Sequence, residues 1–410
     1  MIAVADNLVR AAIPCPKPNP NLQFTCAAVN LRLGRRERGF RGLGGMEFVS
    51  NLGRSCFGGC GSGQDRRKVE VHSASGGEDV FAAAHGGVQP DHLVIMVNGI
   101  IGSAADWRYA AKQFVKNLPD KVVVHCSECN PSRLTFDGVD TMGERLAEEV
   151  NDVIRRWNGI SKISFVAHSL GGLVSRYAVG RLYELSMTTR DRSFRGRIGG
   201  LEPMNFITFA TPHLGSRGHK QLPLLCGLPF LERGASQTAH WIAGRSGKHL
   251  FLKDDDDGKP PLLVRMVQDC DDLQFISSLR AFKRRVAYAN ANYDYVVGWQ
   301  TSSIRRQNEL PKPNLLLAND VKYPHIVHTE WGVNSDEEAN QSSSAIGTQV
   351  IDLEEEMIRG LTQVSWERVD VSFQKSRQRY VAHTTIQVKS YWLNSDGADV
   401  VQHMIDNFVL

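Results

Sequence analysis

The sequence has no apolar run long enough to cross a bilayer. Its longest strongly apolar window, Leu222 to Leu231, holds ten residues, two of them proline. A spanning helix needs about 20 such residues, so the sequence predicts no integral membrane topology. Cysteine is sparse and unevenly spaced, eight in 410 residues, unlike a secreted disulfide framework. The glycines at 58–63 form no Gly-x-Gly-x-x-Gly after a strand, and no Walker sequence occurs. Acidic residues are scarce at the N-terminus, where only Asp6 and Glu37 precede Met46. Residues 1–70 carry a net +6 against +4 for the whole chain, which leaves −2 for the remaining 340 residues. A slightly acidic body argues against a nucleic-acid partner.

What is present is ordinary globular material, 42% hydrophobic and 22% charged. Residues 1–88 stand apart as an N-terminal extension. They hold Pro14, Pro16, Pro18 and Pro20, the arginines Arg32, Arg35, Arg36, Arg38 and Arg41, and no sustained helix or strand period. A basic, acid-poor start suits an organelle transit peptide, although the first serine is Ser50. The other reading is a solvated, disordered tail, with Met46 as a possible alternative start. The compartment is therefore cytoplasmic or, with a transit peptide, plastid or mitochondrion.

Residues 89–410 alternate strands with helices. His92–Val97, Val122–His125, Ile163–Val166 and Phe206–Ala210 are short apolar runs of the kind a buried parallel strand shows. Between them lie helical patterns, one capped by Ser103 with Asp106, another by Thr141 with Glu144. Further strands are expected at 285–289 and 364–373, and a closing helix from Gly397. This is the βαβ pattern of an α/β protein with a mostly parallel sheet. Residues 213–280 form a long insertion, and 300–348 read as polar and proline-interrupted.

The decisive segment is Ile163 to Val174, where a strand runs into Ala167-His168-Ser169-Leu170-Gly171 and a helix follows at once. Strand, turn and helix in that order make a nucleophile elbow, which pushes a serine hydroxyl above the sheet edge. Strand and helix backbones approach closely there, so the flanking residues must be small. Gly171 and Gly172 meet that need, and Ala167 replaces the usual first glycine by one methyl. The other reading is a serine in an ordinary strand–helix turn.

From His92 to the C-terminus the chain resembles the serine esterase and lipase family of the α/β-hydrolase superfamily, particularly its plant lipase-like members. The resemblance rests on Val97 to Ile100, Ala167 to Gly172, Thr211 to Gly215, Asn290 to Asp294 and the segment around His383. It implies an α/β-hydrolase fold with a cap or lid insertion at 213–280, and a Ser–Asp–His hydrolase of acyl esters, those of lipids above all. The nucleophile would be Ser169. The acid would be Asp294, after the strand at 285–289, with Asp254 to Asp257 as rivals. The base would be His383, with His403, His325 and His328 as rivals. The oxyanion donors would be the N–H groups of Leu170 and of Ile100, in the Asn98-Gly99-Ile100 loop, where related lipases often have His-Gly. His213, Leu214, Leu222, Leu224 and Leu225 would face acyl chains if the insertion is a lid, and pack inward if it is a plain cap.

No cofactor, metal or obligate protein partner follows from these residues. Cys126-Ser-Glu-Cys129 lacks a second ligand pair and reads as structural. A lipid or other acyl-ester substrate and peripheral contact with a membrane surface are expected. Three alternatives stay open: an acyltransferase, a thioesterase on the same site, and a silent hydrolase fold that binds lipid or serves as a scaffold.

Overall fold

The central sheet is built from β1 (Val80–Phe81), β2 (His92–Val97), β3 (Val122–Cys126), β4 (Lys162–His168), β5 (Glu202–Phe209), β6 (Arg284–Asn290), β7 (Ile326–Trp331) and β8 (Glu367–Val371). These come from a computed structural model that describes residues 80–81, 89–187, 194–216, 244–254, 258–270, 272–316, 320–331 and 352–410. The strand order is β1-β3-β2-β4-β5-β6-β8-β7. The outermost strands β1 and β7 pair antiparallel with their neighbours, and the inner strands are parallel.

Strand composition follows from burial on both faces. Alternate residues point to opposite sides of a sheet. In β2, Leu93, Ile95 and Val97 enter one core, while Val94 and Met96 enter the other. A strand covered on both sides therefore reads as a continuous apolar run. The first core is closed by α2 (Val139–Arg156), α3 (Leu170–Leu182) and α4 (Leu353–Leu361), the second by α1 (Arg108–Asn117) and α5 (Ala398–Asp406). With the strand–turn–helix elbow at β4 and α3, this layered parallel sheet is the α/β-hydrolase fold.

Three local expectations change. Helix α2 begins at Val139, capped at Gly138 and not at Thr141, where Gly138 adopts φ 105° and gives its N–H to Ser246 Oγ at 3.0 Å. The polar stretch 300–348 contains β7. Only Ile326 and Val327 of that edge strand are buried, so it shows no apolar alternation. Val80–Phe81, inside the expected extension, adds a strand beside β3.

Most of the extension lies outside the described residues, as do 217–243, which include Leu222, Leu224 and Leu225. The described parts of 213–280 pack onto the body. Leu250, Leu263 and Met266 join the core beneath α2 and α3. Buried Arg176 of α3 donates to the carbonyl oxygens of His213 and Met266 at 3.3 and 3.0 Å. No helix among the described residues is long and apolar enough to cross a membrane.

Candidate active site

Ser169 joins β4 to α3 at φ 54°, ψ −128°, a backbone conformation that costs a side-chain-bearing residue energy. Surrounding structure holds it there. Its N–H donates to Phe209 O at 2.8 Å, and its carbonyl accepts from Gly172 N at 3.1 Å. The tightness of the turn explains the small residues. A Cβ on Gly171 would lie 2.5 Å from Asn98 O and 2.6 Å from Val97 O. On Gly172 it would lie 2.2 Å from Thr211 Oγ1. The Ala167 methyl is accommodated in the core beneath α3.

The sheet brings three distant residues together. His383 lies on the short helix Ala382–Thr385 beyond β8. Its Nε2 is 3.1 Å from Ser169 Oγ, and its Nδ1 is 3.0 Å from Asp294 Oδ2. Asp294 follows β6 in a turn where Tyr293 takes φ 60°. The Asp294 carboxylate also accepts from Asn290 Nδ2 at 2.9 Å and from the N–H groups of Val296 and Val297 at 3.0 and 2.9 Å. Burial pushes its pKa up, but the His383 charge and these hydrogen bonds outweigh burial and hold it below the usual carboxylate range. Such an anion accepts the Nδ1 proton, which leaves Nε2 free to accept from the Ser169 hydroxyl.

The rival residues have other partners. Tyr288 hydroxyl meets His403 Nδ1 at 2.9 Å. His325 pairs with Asp399 at 3.0 Å and His328 with Asp370 at 3.1 Å. Asp254 accepts from Leu262 N at 2.7 Å, and 255–257 lie outside the described residues.

The loop after β2 folds against the elbow. A Cβ on Gly99 would stand 2.9 Å from Ser169 Cβ, so Gly99 borders the serine. The departure at Asn98 has a structural use. Its side-chain amide donates to Gly99 O at 3.1 Å and to Asn130 O at 3.2 Å, tying the loop to the neighbouring turn. Ile101 takes φ 54°, unusual for a β-branched residue, and its N–H donates to Thr135 Oγ1 at 2.9 Å.

His213 points into the core. It is fully buried, with Nε2 3.0 Å from Thr208 Oγ1 and its ring against Trp366. Burial, then the nearby Arg176 charge, lowers its pKa and keeps it neutral. Leu214 is likewise packed in the core. The Thr211–Gly215 segment lies at the active edge, but its side chains turn inward.

His168 also builds the site, although its sequence shows no more than a place in the elbow motif. Its buried Nε2 donates to His383 O at 2.7 Å, and the two rings lie 4.6 Å apart. Burial, then the His383 charge, drives its pKa well down, so it remains a neutral donor. Among the described residues no cluster of His, Cys, Asp and Glu could hold a metal ion. Cys129 is a thiol whose pKa burial pushes up, and Cys126 is fully buried.

The sequence is 32% identical over 253 residues to "Putative lipase ROG1" of Saccharomyces cerevisiae, covering 60% of this chain and 33% of that protein. It is 30% identical over 263 residues to "Putative lipase C4A8.10" of Schizosaccharomyces pombe, covering 62% and 30%. This chain thus spans about a third of the length of those relatives. A Bacillus licheniformis lipase in mature form aligns at 16% identity and a TM-score of 0.31, over 52% of this chain and 69% of that one. The profile of one family matches residues 88–304, more than half of the chain, and takes in the elbow and Asp294 but not His383. By that match the chain belongs to the family described as "Putative serine esterase (DUF676)".

Proposed function

We propose that this chain hydrolyses carboxylic esters of lipids, acylglycerols or phospholipids, through an acyl-enzyme on Ser169. The observation that carries the reading is the line of contacts from Ser169 Oγ through the His383 ring to Asp294. A serine hydroxyl is a poor nucleophile until an adjacent base takes its proton. His383 Nε2 takes that proton as Oγ attacks the acyl carbonyl. Asp294 holds the ring in the required tautomer and stabilises its positive charge. Leu170 N–H, at the free start of α3, and Ile100 N–H donate to the tetrahedral oxyanion. His383 then returns the proton to the leaving alcohol. Water, deprotonated by the same ring, releases the acid.

The test is fluorophosphonate labelling of the full chain beside Ser169→Ala, with and without detergent, followed by a panel of acylglycerols and phospholipids. Labelling of the wild type that disappears in Ser169→Ala, with fatty acid released from the panel, is the expected outcome. A folded wild type that neither labels nor releases fatty acid would sink the proposal.

A further inference from the structure

Parallel strands bring their C-terminal ends to one side of a sheet, so the loops after β2, β6 and β8 share an edge. Those loops carry Gly99–Ile100, Asp294 and His383. Each also leaves a large apolar side chain in solvent: Ile101, Tyr295, and Tyr380 with Trp392 and Leu393. Trp392 is 86% exposed. Single exposed apolar residues are common, but several sharing one sheet edge mark an interaction surface.

The loop that presents Trp392 is braced. Buried Asn394 donates to Thr384 Oγ1 and Thr385 Oγ1 at 3.2 and 3.0 Å. Ser376 and Gln378 donate to Asp396 and Ser395 at 2.5 and 3.0 Å. Tyr391 stacks on Tyr109 at 5.0 Å. The indole and the Leu393 side chain are therefore held outward by ordered structure.

Charge selects the occupant. Residues 374–395 contain Lys375, Arg377, Arg379 and Lys389 and no Asp or Glu. Lys389 pairs with Asp106 at 3.1 Å, and Arg379 lies over the Tyr380 ring at 4.7 Å. Lys375 and Arg377 are exposed. This basic segment belongs to a body whose last 340 residues carry a net −2. A second copy facing it across a two-fold axis would set like charges together. Tyr and Trp settle at the headgroup level of a lipid surface, and Lys and Arg are drawn to anionic headgroups.

We propose that this edge docks on an anionic lipid surface, with Trp392 and Leu393 entering the headgroup layer and the Ser169 end of the sheet set against lipid. The proposal rests on the lipid-ester reading only for what happens to the lipid after docking.

The test is vesicle co-sedimentation of the full chain carrying Ser169→Ala, so that no substrate is consumed. Phosphatidylcholine vesicles with and without phosphatidylserine are compared. Binding to the phosphatidylserine vesicles that weakens with salt is expected. Trp392→Asp with Leu393→Asp should lower partitioning by about tenfold or more. Lys375→Glu with Arg377→Glu should lower binding to the anionic vesicles alone. Trp331→Ala serves as control, because Trp331 pairs with Glu367 at the opposite end of the sheet and should bind as the parent. The N-terminal charges are common to all variants and give the same background. Equal melting temperatures exclude misfolding. Three results would overturn the proposal: no vesicle binding, unchanged binding by the Trp392/Leu393 variant, or a stable dimer that this variant dissociates. Binding by an inactive protein is independent of labelling, so either reading can fail without the other.

Discussion

Asp294 makes four hydrogen bonds in the site, with His383, Asn290 and the amides of Val296 and Val297. An amide at that position would turn an N–H toward one of these donors and favour the wrong His383 tautomer. Asp294→Asn should therefore fold and bind ester while kcat falls by about 10⁴-fold. Stopped assays on a short-chain ester beside a circular dichroism melt would check it. A variant with near-parental kcat would remove Asp294 from the role proposed. Ser169 stands out in the sequence because it follows a strand whose apolar run is unmistakable and precedes two glycines. His168 does not, because its bond to the His383 carbonyl crosses 215 positions of chain.

At the scale of elements, the elbow works because β4, the loop after β2 and α3 meet with almost no space between backbones. Gly171→Ala tests that closeness. Its methyl would have to displace the carbonyls of Val97 and Asn98, which cannot rotate away as a flexible side chain would. Overpacking of this kind typically costs about 1–3 kcal/mol. The displaced loop carries a proposed oxyanion donor, so turnover should also drop by about 10²–10³-fold. Kinetics and thermal melting of Gly171→Ala would show it, and unchanged turnover would mean the loop is not a donor. Apolar strands and glycine placement made this element readable from sequence. The start of α2 was not readable, since it depends on Ser246 reaching Gly138 from 108 residues away. Nor was β7, whose alternation is broken by Arg305 and Arg368 pairing with Glu330 at its edge.

At the scale of the whole molecule, buried histidines link stability to pH. Burial, then the Lys162 charge, lowers His92 to about 4, and burial, then the Arg284 charge, lowers His403 to about 4. His168 and His213 shift the same way. In the unfolded chain a histidine takes up its proton near 6.5. The unfolded state thus binds more protons between about 6.5 and 4, and stability falls as pH drops through that window. For His92 the effect is on the order of 3 kcal/mol, and it is smaller for the more exposed His403. The melting temperature should fall steadily from pH 7 to pH 4.5, and His92→Asn should flatten the slope. A flat profile for the parent protein would contradict the burial of these rings.

The sequence by itself determined the strand–helix alternation and the elbow around Ser169. Apolar periodicity and small residues at a tight turn are local properties that a chain displays residue by residue. The tertiary structure is what sets His383 against Ser169, while His403, His325 and His328 meet Tyr288, Asp399 and Asp370. It also decided that His213 is a core residue, and that Ile101, Tyr295 and Trp392 share one edge. Those outcomes come from strand order and parallel direction, which gather loops hundreds of residues apart at one end of the sheet.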